Sequence, residues 1–143
     1  MRGAAITPDS ADYEAARSIW NGTVDKRPAL IVRAQGVADV IEAVNYARAQ
    51  GLPVAVRGGG HHVAGSSLIE GGVVIELSQM RSVRVDPTAQ TVRAEGGCQI
   101  ADVDRGLRDE PYGRTGDLRD PFGHRWSVMK VNPDFKPEDM GGA

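Results

Sequence analysis

The chain is poor in cysteine, in long apolar runs and in any excess of one charge sign. A single cysteine, Cys98, among 143 residues excludes an intrachain disulfide and fits a reducing compartment. No apolar stretch approaches the ~20 residues of a membrane-spanning helix. The opening MRGAAITPDSADYEAARS also lacks the apolar core of a signal peptide. A cytoplasmic protein is the expectation. Lys and Arg number 17 against 19 Asp and Glu, a net charge of -2 with both signs interspersed. That balance leaves no electrostatic footprint for nucleic acid or an anionic membrane.

What is present in quantity is glycine. There are 18, with clusters at Gly58-Gly59-Gly60, Gly71-Gly72 and Gly96-Gly97. Clustered glycine marks backbone at positive φ, or backbone that another group must approach closely. Otherwise the composition, 41% hydrophobic and 25% charged, is that of an ordinary globular domain of modest core.

Residues 9–20 read as a helix with Asp9 or Ser10 as N-cap and Tyr13, Ala16 and Trp20 on one face, Trp20 being a core residue; Asn21-Gly22 ends it. Residues 29–33, ALIVR, read as a strand. Val37, Val40, Ile41, Val44 and Ala47 then recur at helical spacing, Asp39, Glu42 and Arg48 fall elsewhere, and Gly51 and Pro53 stop the helix. Residues 53–56 form a second strand. Strand, helix and strand within this length make a βαβ unit, whose strands lie parallel. Residues 73–77 read as an apolar strand interrupted only by Glu76, and residues 82–85 and 91–94 as a hairpin around Asp86-Pro87-Thr88-Ala89-Gln90. Ile100, Val103 and Leu107 suggest a last short helix. Residues 108–143 hold four of the eight prolines and few aliphatics, so an irregular tail with one strand at 126–131 is expected.

The second strand runs straight into Arg57-Gly58-Gly59-Gly60-His61-His62. Three consecutive glycines are costly in conformational entropy for a plain turn. They suit a place where successive backbone N–H groups curl around an anion such as a pyrophosphate, to which Arg57 would add charge and two parallel hydrogen bonds. No Gly-Lys-Ser/Thr follows, and no GxGxxG opens a helix, so neither a Walker loop nor a Rossmann turn is present. On these residues alone, a flexible surface loop remains the other reading.

Residues 11–105 resemble the N-terminal half of the PCMH-type FAD-binding domain of the vanillyl-alcohol-oxidase and berberine-bridge-enzyme-like flavoproteins. The segments that carry the resemblance are YEAARSIWNGTVDKRPALIVRA, VADVIEAVNYARAQGLPVAVRGGGHHVAGSS and GGVVIELSQMRSVRVDPTAQTVRAEGGCQIADVD. It implies an α+β fold in which the βαβ unit is followed by mixed and antiparallel strands. It also implies that residues 56–61, Val56 to His61, wrap the FAD pyrophosphate, with Gly65, Ser66 and Ser67 continuing the cradle. His61, closing the glycine run, occupies the position bonded to the flavin 8α-methyl; imidazole suits that linkage as a neutral nucleophile. His62, where relatives often have Asn or Ser, is expected to hydrogen-bond or face solvent. Hydride chemistry would belong to the cofactor: the family oxidises alcohols, sugars and related small-molecule donors and passes the electrons usually to dioxygen.

Other features receive plainer readings. Cys98 is expected to be a small buried residue, since the family's cysteinyl flavin bond uses a segment far downstream. Gly96-Gly97 is either a turn near the flavin or a structural turn. Asp102, Asp104 and Arg105 are spaced for a solvated helix face. The stretch from about 112 to 143, with GRTGDLRDPFGHRWSVM, resembles the C-terminal end of a glyoxalase/bleomycin-resistance-type domain, Asp120-Pro121-Phe122-Gly123 forming a turn. His124 has no companion ligands at metal spacing, so no metal is assigned. The expectation is thus a partial FAD-binding domain over 1–107 and a tail of other origin over 108–143. Such a chain lacks the family's downstream catalytic base and substrate pocket, and its uncovered apolar surface would favour homo-oligomers. The alternative is a non-catalytic binding module that has lost the cofactor.

Overall fold

The computed structural model of the chain describes residues 2–86, 89, 91–106, 108–110, 113–119 and 125–131. These divide into two compact units, Met1–Arg81 and Ser82–Ala143. No helix among the described residues is long and apolar enough to cross a membrane.

The first unit contains β1 (Ala4–Ile6), α1 (Tyr13–Arg17), β2 (Leu30–Arg33), α2 (Val37–Ala49), β3 (Val54–Arg57) and β4 (Val73–Glu76). Its sheet has the order β1-β2-β4-β3. β1 is antiparallel to β2, whereas β2 and β3 both run parallel to β4. The strands of the expected βαβ unit are therefore parallel but not adjacent, because β4 inserts between them. All four residues of β4 are buried, which explains its lack of polar alternation. Val74 packs with Ile6, Tyr13, Ala16, Ile31, Ala55 and Leu68 on one face. Val73 and Ile75 pack on the other with Val32, Ala34, Met80 and the α2 residues Ala43 and Ala47.

α2 ends as the sequence predicts. Gly51 has φ +65, Leu52 N donates to Ala47 O (2.9 Å) and Gly51 N to Arg48 O (3.2 Å), the paired bonds of a Schellman motif. Its inward face differs from the expected one. Ala43 and Ala47 are buried with Val40 and Val44 beside them, while Val37 and Ile41 are exposed. Asp39, read as a polar-face residue, is buried instead. Its carboxylate accepts from the amides of Arg2 (2.7 Å), Gly3 (3.0 Å) and Gln35 (2.9 Å). Those backbone bonds hold it below the ordinary aspartate value against the opposing pull of burial.

α1 is shorter than the sequence suggests and is preceded by Asp12, not by Asp9 or Ser10 as cap. Ser18 bonds back to Glu14 O (2.9 Å) and turns extended, a local competition that ends helices. Trp20 consequently leaves the helix face and is 72% exposed; the expectation that it is a core residue is corrected.

The second unit opens with β5 (Val83–Asp86) and β6 (Thr91–Ala94), the expected antiparallel hairpin. α3 (Ile100–Gly106) follows, its Val103 packing on Val92, with Val83 and Val85 alongside. Asp102 is buried, not solvated, and accepts from Gln99 N at 2.8 Å, half of a capping box at the helix start. Cys98 is half-buried, with Sγ 3.5 Å from Ser82 O.

Beyond α3 the structure is more regular than the composition suggests. β7 (Arg108–Glu110), β8 (Gly113–Arg119) and β9 (Arg125–Val131) appear where only residues 126–131 read as strand. β8 pairs antiparallel with β7 and β9, and parallel with β6 through Val92 and Leu118. Leu107, the Asp120-Pro121-Phe122-Gly123 turn and His124 lie outside the described residues.

Candidate functional site

The C-terminal ends of β2, β4 and β3 carry a charged row, because the register sets Arg33 opposite Glu76 and Glu76 opposite Arg57. Side chains in one row of a sheet share a face. Arg33 Nε donates to Glu76 Oε2 (2.9 Å) and Ser78 N to Glu76 Oε1 (2.8 Å). Burial pushes the Glu76 carboxyl up, but the bonds from Ser78 and Arg33 and the charge of Arg57 outweigh it, leaving Glu76 below the ordinary value. Burial also pulls the Arg57 guanidinium down, with the Glu76 carboxylate opposing.

The sign of that arrangement is testable. A carboxyl depressed in the folded state stabilises above its unfolded value and loses that contribution as pH falls through the folded one. Stability should therefore decline below the ordinary Glu value of 4.5, with Asp39 contributing in the same direction. Glu76→Gln should cost about 2 kcal/mol at neutral pH and give a shallower acid slope in urea titrations. An unchanged slope would remove Glu76 from this account.

Arg57 does not point out of the loop as the sequence reading had it. It is buried, donating from Nη2 to Ala16 O (2.6 Å) and from Nη1 to Ser18 O (3.5 Å). Its fork satisfies carbonyls at the end of α1 that the helix leaves unpaired. Two parallel bonds from Arg57 to an anion are thus replaced by bonds to backbone. Val56, facing the opposite side of the strand, is 57% exposed.

From Arg57 the chain enters the glycine run. Gly60 is buried at φ +70. A Cβ on Gly59 would stand 2.8 Å from His61 Cδ2, so the His61 imidazole lies back across Gly59. Gly58 is half-buried; His61 and His62 are exposed. Among the described residues, no hydrogen bond engages the amides of Gly58, Gly59, Gly60, His61 or His62.

The far side of the loop is fastened. Gly65 N donates to His62 O (2.9 Å) and Leu68 N to Gly65 O (3.2 Å). Gly65 has φ +66, and a Cβ there would come within 2.6 Å of Val24 Cγ1. Asn21 Nδ2 donates to Val63 O (2.8 Å), while Lys26 Nζ donates to Gly65 O and Leu68 O (3.2 Å each). The sequence reading missed Val24 and Lys26, and saw Asn21 only as a helix stop. Ser66 is exposed; Ser67 is buried with its Oγ lacking a partner.

Five unengaged amides at the carboxyl end of a parallel strand, with an orphaned buried hydroxyl a few residues on in the same loop, fit an oxygen-rich anionic ligand. These residues fit the diphosphate of a nucleotide cofactor. Among the described residues there is no cluster of His, Cys, Asp and Glu able to hold a metal.

The comparisons agree with a flavin nucleotide class. Residues 28–115 match the FAD binding domain family, and the chain belongs to it; the cofactor is FAD. (R)-6-hydroxynicotine oxidase of Paenarthrobacter nicotinovorans is 36% identical over 103 residues, 72% of this chain and 22% of its own length. The FAD-linked oxidoreductase YgaK of Bacillus subtilis is 33% identical over 80% of this chain and 25% of its own. The crystal structure of 6-hydroxy-D-nicotine oxidase from Arthrobacter nicotinovorans superposes with a TM-score of 0.71 at 34% identity, covering 75% of this chain and 24% of that one. The chain thus spans about a quarter of the length of these relatives. The α+β arrangement expected from the sequence is that of its family.

Proposed function

We propose that residues 58–67 grip the diphosphate of FAD through backbone amides and that a His61 ring nitrogen would hold the flavin covalently at its 8α-methyl carbon, replacing one hydrogen there, with the two electrons released passing to dioxygen. The observation that carries this reading is the run of unengaged amides from Gly58 to His62, with the partnerless Ser67 Oγ close by in sequence. Val56 and Arg57 deliver the loop, Gly58, Gly59 and Gly60 supply its unengaged amides, and Gly65 and Ser66 continue the cradle. His62 remains a polar neighbour. When bound, FAD supplies the hydride-accepting ring. The whole protein on this reading oxidises an alcohol, sugar or related donor, with dioxygen as acceptor. A cytoplasmic setting, supported by the lone cysteine, belongs to it, as does pairing of two copies along β3, whose Val54 and Val56 are exposed. Residues 108–143 are a segment of separate origin on the same reading.

The purified chain titrated with FAD should turn yellow after desalting, with saturable changes in flavin fluorescence. Protein that stays colourless and leaves free FAD fluorescence unchanged would sink the reading in favour of a non-catalytic module.

A further inference from the structure

Lys26 is a half-buried cation directed at backbone carbonyls, not at a carboxylate. Its two acceptors, Gly65 O and Leu68 O, bracket the partnerless Ser67. Gly65 is doubly determined: its amide is tied to His62 O, and its conformation is one that glycine alone adopts readily. In a trans peptide the C=O of one residue and the N–H of the next point in opposite directions, and no cis bond is present. Holding the Gly65 carbonyl on Lys26 therefore turns the Ser66 amide the other way. That amide has no hydrogen-bond partner among the described residues.

We propose that Lys26 is a positioning residue for a nucleotide diphosphate: by fixing the Gly65 and Leu68 carbonyls it aims the Ser66 amide outward beside Ser67 and sets positive charge behind the loop. The inference rests on the FAD reading above and adds to it a residue that need not touch the ligand. Peptide dipoles oriented by a cation on their negative ends present their positive ends to an anion, at a site where screening by solvent is partial.

The test uses the full chain with FAD and, separately, ADP, which carries the adenosine diphosphate part of FAD without the riboflavin. Lys26→Met should weaken both ligands by a similar factor, about tenfold, and Lys26→Arg should recover binding to within about threefold. Lys26→Gln, able to serve one carbonyl, gives an intermediate value and replaces the Met variant should that not fold. Affinities equal to wild type, a loss confined to FAD, or failure of Arg to rescue would overturn the role of Lys26 alone. Wild-type chain that binds neither ligand would overturn the FAD reading, and this inference with it.

Discussion

Gly72→Ala is expected to destabilise the first unit by about 3 kcal/mol or more, a large fraction of the total stability of a domain of this size. Gly72 precedes the central strand and is wedged between its neighbours. A Cβ there would stand 2.4 Å from Pro53 O, 2.7 Å from Ile69 Cγ2 and 3.0 Å from Pro53 Cγ. The nearest of these is backbone and cannot rotate away. It is also committed, since Pro53 O accepts from Val73 N at 2.8 Å. On the other side, Gly72 O accepts from Ala29 N (2.9 Å) and Leu30 N (3.2 Å). Relieving the clash would therefore separate β4 from β3 or from β2. Gly71→Ala is the matched control, because Gly71 has φ +62 but open space around its Cβ position. It should cost only about 1 kcal/mol. Urea midpoints of the two variants decide the matter: a Gly72→Ala midpoint no lower than that of Gly71→Ala would show that the strands do not approach this closely.

The same contrast explains what could be read in advance. α2 was legible because its stop signals are local, Gly51 at positive φ and Pro53 beyond it. β4 was legible as an apolar run, but its place between β2 and β3 was not, since strand order is set by tertiary pairing that no short pattern encodes. α1 was overestimated at its C-terminal end, where Ser18 Oγ turns back onto Glu14 O and Arg57, forty residues on, takes the carbonyls of Ala16 and Ser18. Asp39 and Asp102 read as polar-face charges; each is buried, Asp39 with three backbone amides converging on it and Asp102 as acceptor for Gln99 N. In β8 the sequence GRTGDLR carries almost no apolar signal, and its ladder with β9 is a matter of backbone bonding. The glycine-histidine run was visible at once, yet the role of Arg57 was not. A charge beside a glycine loop looks like a ligand until its partners are known, and here they are main-chain oxygens.

His61→Ala should abolish covalent flavin retention while leaving reversible FAD binding within a few-fold of wild type. The two effects separate because the grip and the anchor are different groups. The grip on this reading lies in backbone amides, which alanine retains, whereas the anchor is a ring nitrogen, which alanine lacks. The geometry around the ring bears on which histidine serves. A Cβ on Gly59 would lie 2.8 Å from His61 Cδ2 and 3.2 Å from Nε2, so the absence of a side chain at Gly59 is what admits the imidazole over the glycine run. The His62 carbonyl, by contrast, is engaged by Gly65 N. The chain incubated with FAD, denatured and run on a gel should show a fluorescent band in wild type and in His62→Ala, and none in His61→Ala. A band that survives His61→Ala and vanishes in His62→Ala would move the anchor by one residue. No band in any of the three, with FAD still bound reversibly before denaturation, would leave the amide cradle standing and remove the covalent bond from the proposal.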